Sequence, residues 1–174
     1  MGAWDELDVE ITVEVDTSDI DTALDLCDEY FLEDVVEQLQ HIKKGVDEGS
    51  KEGVAYIASK NRSYQEQEIV DLDKHPYASG MLGSSINDEE QDEYTYLVGT
   101  RINHIYPMSV EYGRREVRPI NAKCLFFYSL DGDPVWTMYS GAADPNPYVQ
   151  PAFEKTEQIA DELMLRYVGW NLDK

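Results

Sequence analysis

The amino-acid sequence predicts an α+β fold in which a small antiparallel β-sheet packs against a long N-terminal helix and a C-terminal helix. Three observations lead to this prediction. Apolar residues alternate with polar ones over residues 8–15, recur at steps of three or four over residues 20–46, and form strand-like segments between residues 94 and 139. The 174 residues suit one domain, with an N-terminal arm and strand over 1–17 and a single α+β domain over 18–174.

The N-terminal segment predicts a strand followed by a helix. Val9, Ile11, Val13 and Val15 alternate with polar residues, which is typical of a strand with one buried face. Ser18 precedes Asp21 by three positions, as in a variant capping box that begins a helix. We expect one face of this long helix to be buried, with the acidic residues on the opposite, solvated face. The expected buried positions are Ile20, Leu24, Cys27, Phe31, Val35, Leu39, Ile42 and Val46.

Three glycines, Gly45, Gly49 and Gly53, recur at intervals of four. If the helix continues through them, they form a bare stripe that another backbone can approach closely; if it ends, they mark a bend. The polar segment 60–78 predicts a loop.

The C-terminal half predicts strands and a last helix. YTYLVGT at 94–100 alternates like a strand, and CLFFYSL at 124–130, apolar on both faces, predicts a central strand. The turn sequence at 131–134 leads to a hairpin partner at 135–139. In the last helix one apolar face is expected to hold Phe153, Ala160, Leu163, Met164 and Tyr167.

Acidity is the strongest compositional signal. Asp and Glu number 36 against 14 Lys and Arg, a net charge of -22, and such a surface repels DNA phosphates. The charge favours a halophilic setting, in which salt screens the repulsion, over an ordinary acidic protein. No apolar run is long enough to cross a bilayer, and the N-terminus does not resemble a signal peptide. Cys27 and Cys124 are expected to be buried free thiols, with a disulfide as the alternative.

Motifs for catalysis are weak or missing. The sequence contains neither a nucleophile elbow, a P-loop nor a dinucleotide-binding fingerprint. Ser84 or Ser85 could pair with His75 or His104, but such pairings arise in many chains, and the carboxylates lack calcium-loop spacing. We therefore predict neither an enzyme, a cofactor nor a metal site, and interpret SGMLGSS at 79–85 as a turn with an oligomer contact.

Three segments together resemble a known family. They are SGMLGSSI at 79–86, YPMSVEYG at 106–113 and NPYVQPAFEK at 146–155. In this order they resemble the small tail-completion, or neck, proteins of long-tailed phages and related archaeal tailed viruses. The matching residues are Gly80, Leu82, Ser85 and Ile86, then Tyr106, Val110, Glu111 and Gly113, and finally Pro147, Pro151 and Ala152. Ser79, Pro107 and Tyr148 depart from the family pattern.

The resemblance implies a non-enzymatic structural protein of the virion, assembled in the host cytoplasm and located at the head–tail junction. It implies a homo-oligomeric ring, expected to be six-fold, around a channel through which DNA passes without specific binding. Head-connector and tail-tube proteins would be its neighbours, and no membrane is involved. Neck, connector and tail-terminator roles stay open. The alternatives are an acidic interaction module, such as a DNA mimic that binds a protein partner, and a hydrolase with an unrecognised site.

The segment 106–119 carries three arginines within five residues of a strongly negative chain. We interpret it as a joint that pairs with carboxylates of a neighbouring subunit, since guanidinium groups suit bidentate pairing. A nucleic-acid patch is the alternative. The predicted assembly residues are Gly80, Leu82, Ser85, Tyr106, Glu111, Arg114, Arg115, Arg118, Pro147 and Tyr148.

Overall fold

The computed structural model describes residues 7–30, 32–70, 81–102, 105–128 and 133–174. Within these ranges the order is β1 (Val9–Thr12), α1 (Ser18–Glu29), α2 (Glu33–Val70), α3 (Met81–Ser85), β2 (Ile86–Asp92), β3 (Thr95–Thr100), α4 (Ile105–Glu111), β4 (Leu125–Tyr128), β5 (Pro134–Thr137) and α5 (Val149–Leu172). The predicted fold class is confirmed: helices and strands are mixed, an antiparallel sheet is small, and α2 packs against α5. The predicted N-terminal arm falls largely on residues 1–6, which lie outside the described residues.

The first sheet has three strands in the order β1-β3-β2. β1 shows the predicted alternation, with Val9 buried and its neighbour Glu10 exposed. β3 lies where the sequence predicts a strand, and Val98 is its fully buried side chain. The acidic run at 88–92 lies in β2. It forms a strand because its residues pair with β3 across the turn at 93–94.

The long N-terminal helix is in fact two helices. α1 ends at Glu29 and α2 begins at Glu33, so the single helix predicted over 20–46 is wrong. The capping box is also wrong, because Ser18 already lies inside α1 and the preceding Thr17 makes no side-chain cap. Within the described residues α1 buries no side chain, and Val35 and Ile42 of α2 are exposed. The other described positions of the predicted buried face are half-buried, so this face is only partly covered along this part of the chain.

The glycine stripe forms the contact between α2 and α5. A Cβ added at Gly45, Gly49 or Gly53 would lie 2.8, 2.6 or 2.6 Å from an atom of Leu172, Val168 or Met164 in turn. The contacted residues on α5 decrease in number by four each time the glycine on α2 increases by four, so the two helices run antiparallel. At Gly49 the nearest atoms belong to the α5 backbone, so a side chain there would prevent this approach, and the close-approach alternative is the correct one.

α2 continues to Val70, so the loop predicted from residue 60 is wrong over 60–70; residues 71–78 lie outside the described residues. The polar composition of this stretch predicts a loop, but the side-chain amides of Asn61 and Gln65 are buried in the helix packing. Asn61 is fully buried, and its side-chain nitrogen donates to the Thr156 hydroxyl of α5 at 2.9 Å. Gln65 is also fully buried. A polar side chain can occupy a core position when a partner satisfies its hydrogen bonds.

The second sheet is a two-stranded antiparallel hairpin. β4 pairs with β5, with Leu125 opposite Thr137 and Phe126 opposite Trp136. The predicted hairpin partner is confirmed, but the central-strand prediction for 124–130 is wrong, because β4 has a single described neighbour. Phe126 and Trp136 share one face and are both exposed.

The C-terminal helix lies where expected, with its buried face rotated. Leu163 is buried as predicted, whereas Phe153 is 42% exposed, and Ala152, Thr156 and Asn171 are buried instead. The two cysteines are free thiols, and both are half-buried rather than buried as predicted. In the described part of the chain, no helix combines the length and apolar character that crossing a membrane requires.

The chain divides into two compact units that cut across these elements. The first unit comprises residues 1–9, 62–87 and 99–153, and the second comprises 10–61, 88–98 and 154–174. All three segments of the family resemblance lie in the first unit, apart from the last two residues of the third segment. The contact between α2 and the C-terminal part of α5 lies in the second.

Candidate assembly site

A buried carboxylate joins the second and third segments of the resemblance. Glu111 is the last residue of α4 and is only 6% exposed. Its Oε2 accepts hydrogen bonds from the backbone N–H groups of Tyr148 at 2.7 Å and Val149 at 3.0 Å, and its Oε1 accepts one from Gln150 at 3.4 Å. These N–H groups lie at the start of α5, where helix geometry leaves them without an intrahelical acceptor and the helix dipole favours a negative charge. Glu111 therefore caps α5 from 37 residues away.

Gly113 turns the chain directly after this cap. Its φ is +72°, in the left-handed region that glycine adopts without strain. A Cβ there would also lie 2.7 Å from the carbonyl oxygen of Ala143. The turn sets Arg114 opposite Ala143 in an antiparallel bridge, and a second bridge sets Val117 opposite Ser140. The basic segment is thus held against the stretch that follows the hairpin.

The three arginines of this segment differ in what they contact. Arg114 is half-buried, and its Nη2 donates to the Ser140 hydroxyl at 2.5 Å. Arg118 forms an ion pair with Glu116, both side chains being substantially exposed. Arg115 is exposed and pairs with no carboxylate among the described residues. Arg115 and Arg118 are therefore presented to solvent, whereas Arg114 is engaged within the chain.

The first segment of the resemblance contributes buried contacts. Leu82 and Ile86 are buried, and the Ser85 hydroxyl donates to the Leu82 carbonyl oxygen at 2.7 Å and lies 2.7 Å from the Thr100 hydroxyl. Met81–Ser85 is a short helix rather than the predicted turn. Gly80, and both His75 and His104 of the hydrolase alternative, lie outside the described residues.

The remaining predicted residues divide between surface and interior. Pro147 is exposed and Tyr106 is half-buried, whereas Tyr148 is fully buried. Burial, with the Glu111 carboxylate next, raises the pKa of the Tyr148 phenol, whose hydroxyl has no hydrogen-bond partner within the described ranges. Leu82, Glu111 and Tyr148 are thus enclosed by their own chain, and any effect they have on assembly must act through the fold. Their assembly role stays a prediction.

Two exposed apolar surfaces were missed by the sequence reasoning. The first, the hairpin surface, comprises Val117, Ile120, Phe126, Trp136 and Met138. The second, the helical surface, comprises Leu26, Tyr30, Leu32, Val35 and Ile42. Of these residues, the sequence reasoning assigned Val35 and Ile42 to a buried helix face and Phe126 to a central strand. Large exposed apolar groups in clusters are typical of binding surfaces.

The described residues contain no group of three or more His, Cys, Asp or Glu side chains placed to hold a metal ion. Comparisons of the chain with protein-family models, with curated proteins and with solved structures give no match.

Proposed function

We propose that the chain is a structural protein of a tailed virus, located at the head–tail junction in a neck, tail-completion or tail-terminator role. The proposal rests on the resemblance of three ordered segments to the small tail-completion proteins. In this proposal the chain acts without catalysis, as a homo-oligomeric ring around the DNA channel.

The single observation that carries the proposal is the Glu111 cap. The second and third segments of the resemblance are separated along the chain, yet the carboxylate of the one accepts from the backbone that begins the other. A second bond, from the Asn146 N–H to the Val110 carbonyl oxygen at 2.8 Å, joins the same two segments. Two segments that matched the family pattern only by chance would not be expected to contact each other in the fold. This contact supports treating the segments as one motif.

The charge supports the same proposal on independent grounds. A six-fold ring would carry about 6 × -22 = -132 formal charges. Such a channel would bind few phosphates and release few counterions, so DNA would pass without sticking.

The test is to locate the protein in particles. Tailed virions from the cells that encode the chain would be purified, quantified by mass spectrometry and labelled with antibody for electron microscopy. We expect a few copies per particle, with label at the head–tail junction. A protein absent from particles would overturn the proposal. Recovery of a DNA-binding enzyme in pull-downs, instead of virion proteins, would favour the acidic interaction module.

A further inference from the structure

The hairpin surface combines apolar side chains with positive charge. Phe126 and Trp136 form a cross-strand pair with ring centroids 5.2 Å apart, and they are 50% and 63% exposed. Met138 continues the same alternation and is 64% exposed. The neighbouring basic segment, bridged to Ser140, adds Ile120 at 93% exposure. Residues 114–123 hold three arginines and one lysine against a single glutamate, a balance of +3.

A two-stranded hairpin with an open apolar face is an unstable arrangement in water. Isolated hairpins are marginally stable, and sheets usually cover such a face with another layer. On the opposite face Leu125 and Val135 are half-buried by the chain itself. The Phe126 and Trp136 face therefore has the composition of an interface core, where aromatic residues are enriched, beside exposed arginines that are typical of its rim.

The helical surface combines apolar side chains with negative charge. Leu26 is 52% and Tyr30 is 67% exposed on and just after α1, and Val35 and Ile42 are 41% and 40% exposed one heptad apart on α2. Residues 18–42 contain eight acidic residues and neither lysine nor arginine. An open groove beside Ile42 is lined by Asp34, Glu37, Gln38 and His41. The groove is thus lined by acidic side chains, whereas the 114–123 segment beside the hairpin strands is basic.

We propose that the hairpin surface of one copy docks on the helical surface of a second copy. The partner is a second copy of this chain, because one chain carries two surfaces that complement each other. Each surface has exposed apolar side chains, and the charges of the two surfaces are opposite. Arg115 and Arg118 would face carboxylates of the 18–42 segment, while Trp136 enters the groove beside Ile42. Opposite potentials align such a contact, and apolar burial stabilises it.

The contact is heterologous, since two different surfaces meet. Repeated contacts of this kind close into a ring when the rotation between copies closes, and otherwise extend into a filament. The inference therefore deepens the proposed ring assembly and rests on it for its biological setting, but the contact itself can be tested with the purified chain alone.

Two complementary variants test it. The first, Arg115→Glu with Trp136→Ser, disables the hairpin surface; the second, Glu37→Lys with Val35→Ser, disables the helical surface. Leu165→Ser is the matched control, because Leu165 is an exposed apolar residue on α5 outside both surfaces. Circular dichroism and thermal unfolding would verify that all chains fold, and sedimentation velocity would measure their assembly over a range of concentrations and at low and molar salt.

We expect the wild-type chain and the Leu165→Ser control to assemble, and each double variant alone to stay monomeric. An equimolar mixture of the two double variants should form dimers and nothing larger, because one intact surface of each kind remains. Trp136→Ser alone should weaken association by about 30-fold or more, as expected of a buried aromatic hot spot. In a symmetric contact, the variant with the intact hairpin surface would dimerise by itself, and that result would overturn the inference.

A wild-type chain that is monomeric at every concentration and salt tested would also overturn it. Either negative result leaves the location of the protein in virions unaffected, because a head-connector or tail protein could then cover the same surfaces. Conversely, a chain that assembles by this contact but is missing from particles would refute the proposed function and leave the contact established.

Discussion

Removal of the Glu111 carboxylate should destabilise the first unit. In Glu111→Ala the N–H groups of Tyr148 and Val149 lose their acceptor at a place where Glu111 and Tyr148 are both buried from solvent. In Glu111→Gln an amide oxygen can take the place of Oε2, so the shape is retained while the negative charge at the start of α5 is lost. The pair of variants separates the hydrogen bonds from the charge.

The magnitudes follow from the geometry. The bonds at 2.7 and 3.0 Å have ordinary lengths, whereas the one at 3.4 Å from Gln150 is long and contributes little. Hydrogen bonds to a charged group contribute about 1.5–3 kcal/mol each, so loss of the two shorter bonds in Glu111→Ala should lower the free energy of unfolding by about 3–6 kcal/mol. Glu111→Gln should cost about 1–2 kcal/mol, the range for a charge at a partly buried helix terminus. The larger loss is a substantial share of the about 5–15 kcal/mol typical of a folded domain.

Urea unfolding would measure these losses, and hydrogen exchange at the amides of residues 148–150 would localise them. The control is Glu116→Ala, because Glu116 is an exposed carboxylate in an ion pair with Arg118 and should contribute less than about 1 kcal/mol. If Glu111→Ala and Glu116→Ala unfold at the same urea concentration, the cap does not stabilise α5 and the reasoning is refuted.

Three further predictions concern packing and pH. Gly49→Ala should lower the free energy of unfolding in urea by about 1–3 kcal/mol, because its Cβ would lie 2.6 Å from the α5 backbone. Gly169→Ala, whose Cβ would have nothing within 4 Å, should instead raise it by about 0.5–1 kcal/mol. Equal effects of the two substitutions would contradict the close contact between α2 and α5 at Gly49. A hydrogen bond from the Tyr94 hydroxyl lowers the pKa of the Asp47 carboxyl below 3.8. The ionised carboxylate therefore contributes stability that is present above that pH and is lost in acid. Asp47→Asn should flatten the acid side of a pH–Tm profile. Burial raises the pKa of the Tyr148 phenol above 10.0, so stability that is fully present below pH 10.0 is lost as the pH rises further. Tyr148→Phe should reduce that loss. An alkaline pH–Tm profile that the substitution leaves unchanged would count against this role of Tyr148.

Local pattern was sufficient where the cause of a structure is local. The alternation of β1 and the pairing of β4 with β5 depend on residues close to each other in sequence. The glycine stripe was also predictable as one of two alternatives, since the spacing of four marks a single helix face. These features make up most of the confirmed fold.

The sequence pattern gave wrong predictions where the structure depends on a contact between residues far apart in the chain. Residues 60–70 look like a loop because they are polar, yet Asn61 is a core residue once Thr156, 95 positions away, accepts its hydrogen bond. Glu111 looked like an assembly residue, and the N–H groups it caps belong to residues 37–39 positions further along. No local window contains both partners in either case, so hydrophobic periodicity assigns such residues to the surface.

The burial of several residues that carry the family resemblance also explains why these segments are a poor guide to an interface in this chain. Leu82, Ile86, Glu111 and Ala152 are buried, so their role is to hold the first unit together. The residues that meet a partner must be exposed, and the two exposed apolar surfaces lie outside the three motif segments. A substitution there can change the partner without disturbing the fold, whereas a substitution at Glu111 cannot. The buried residues that carry the resemblance therefore stabilise the fold, and in the proposed assembly the contacts between copies lie on the hairpin and helical surfaces.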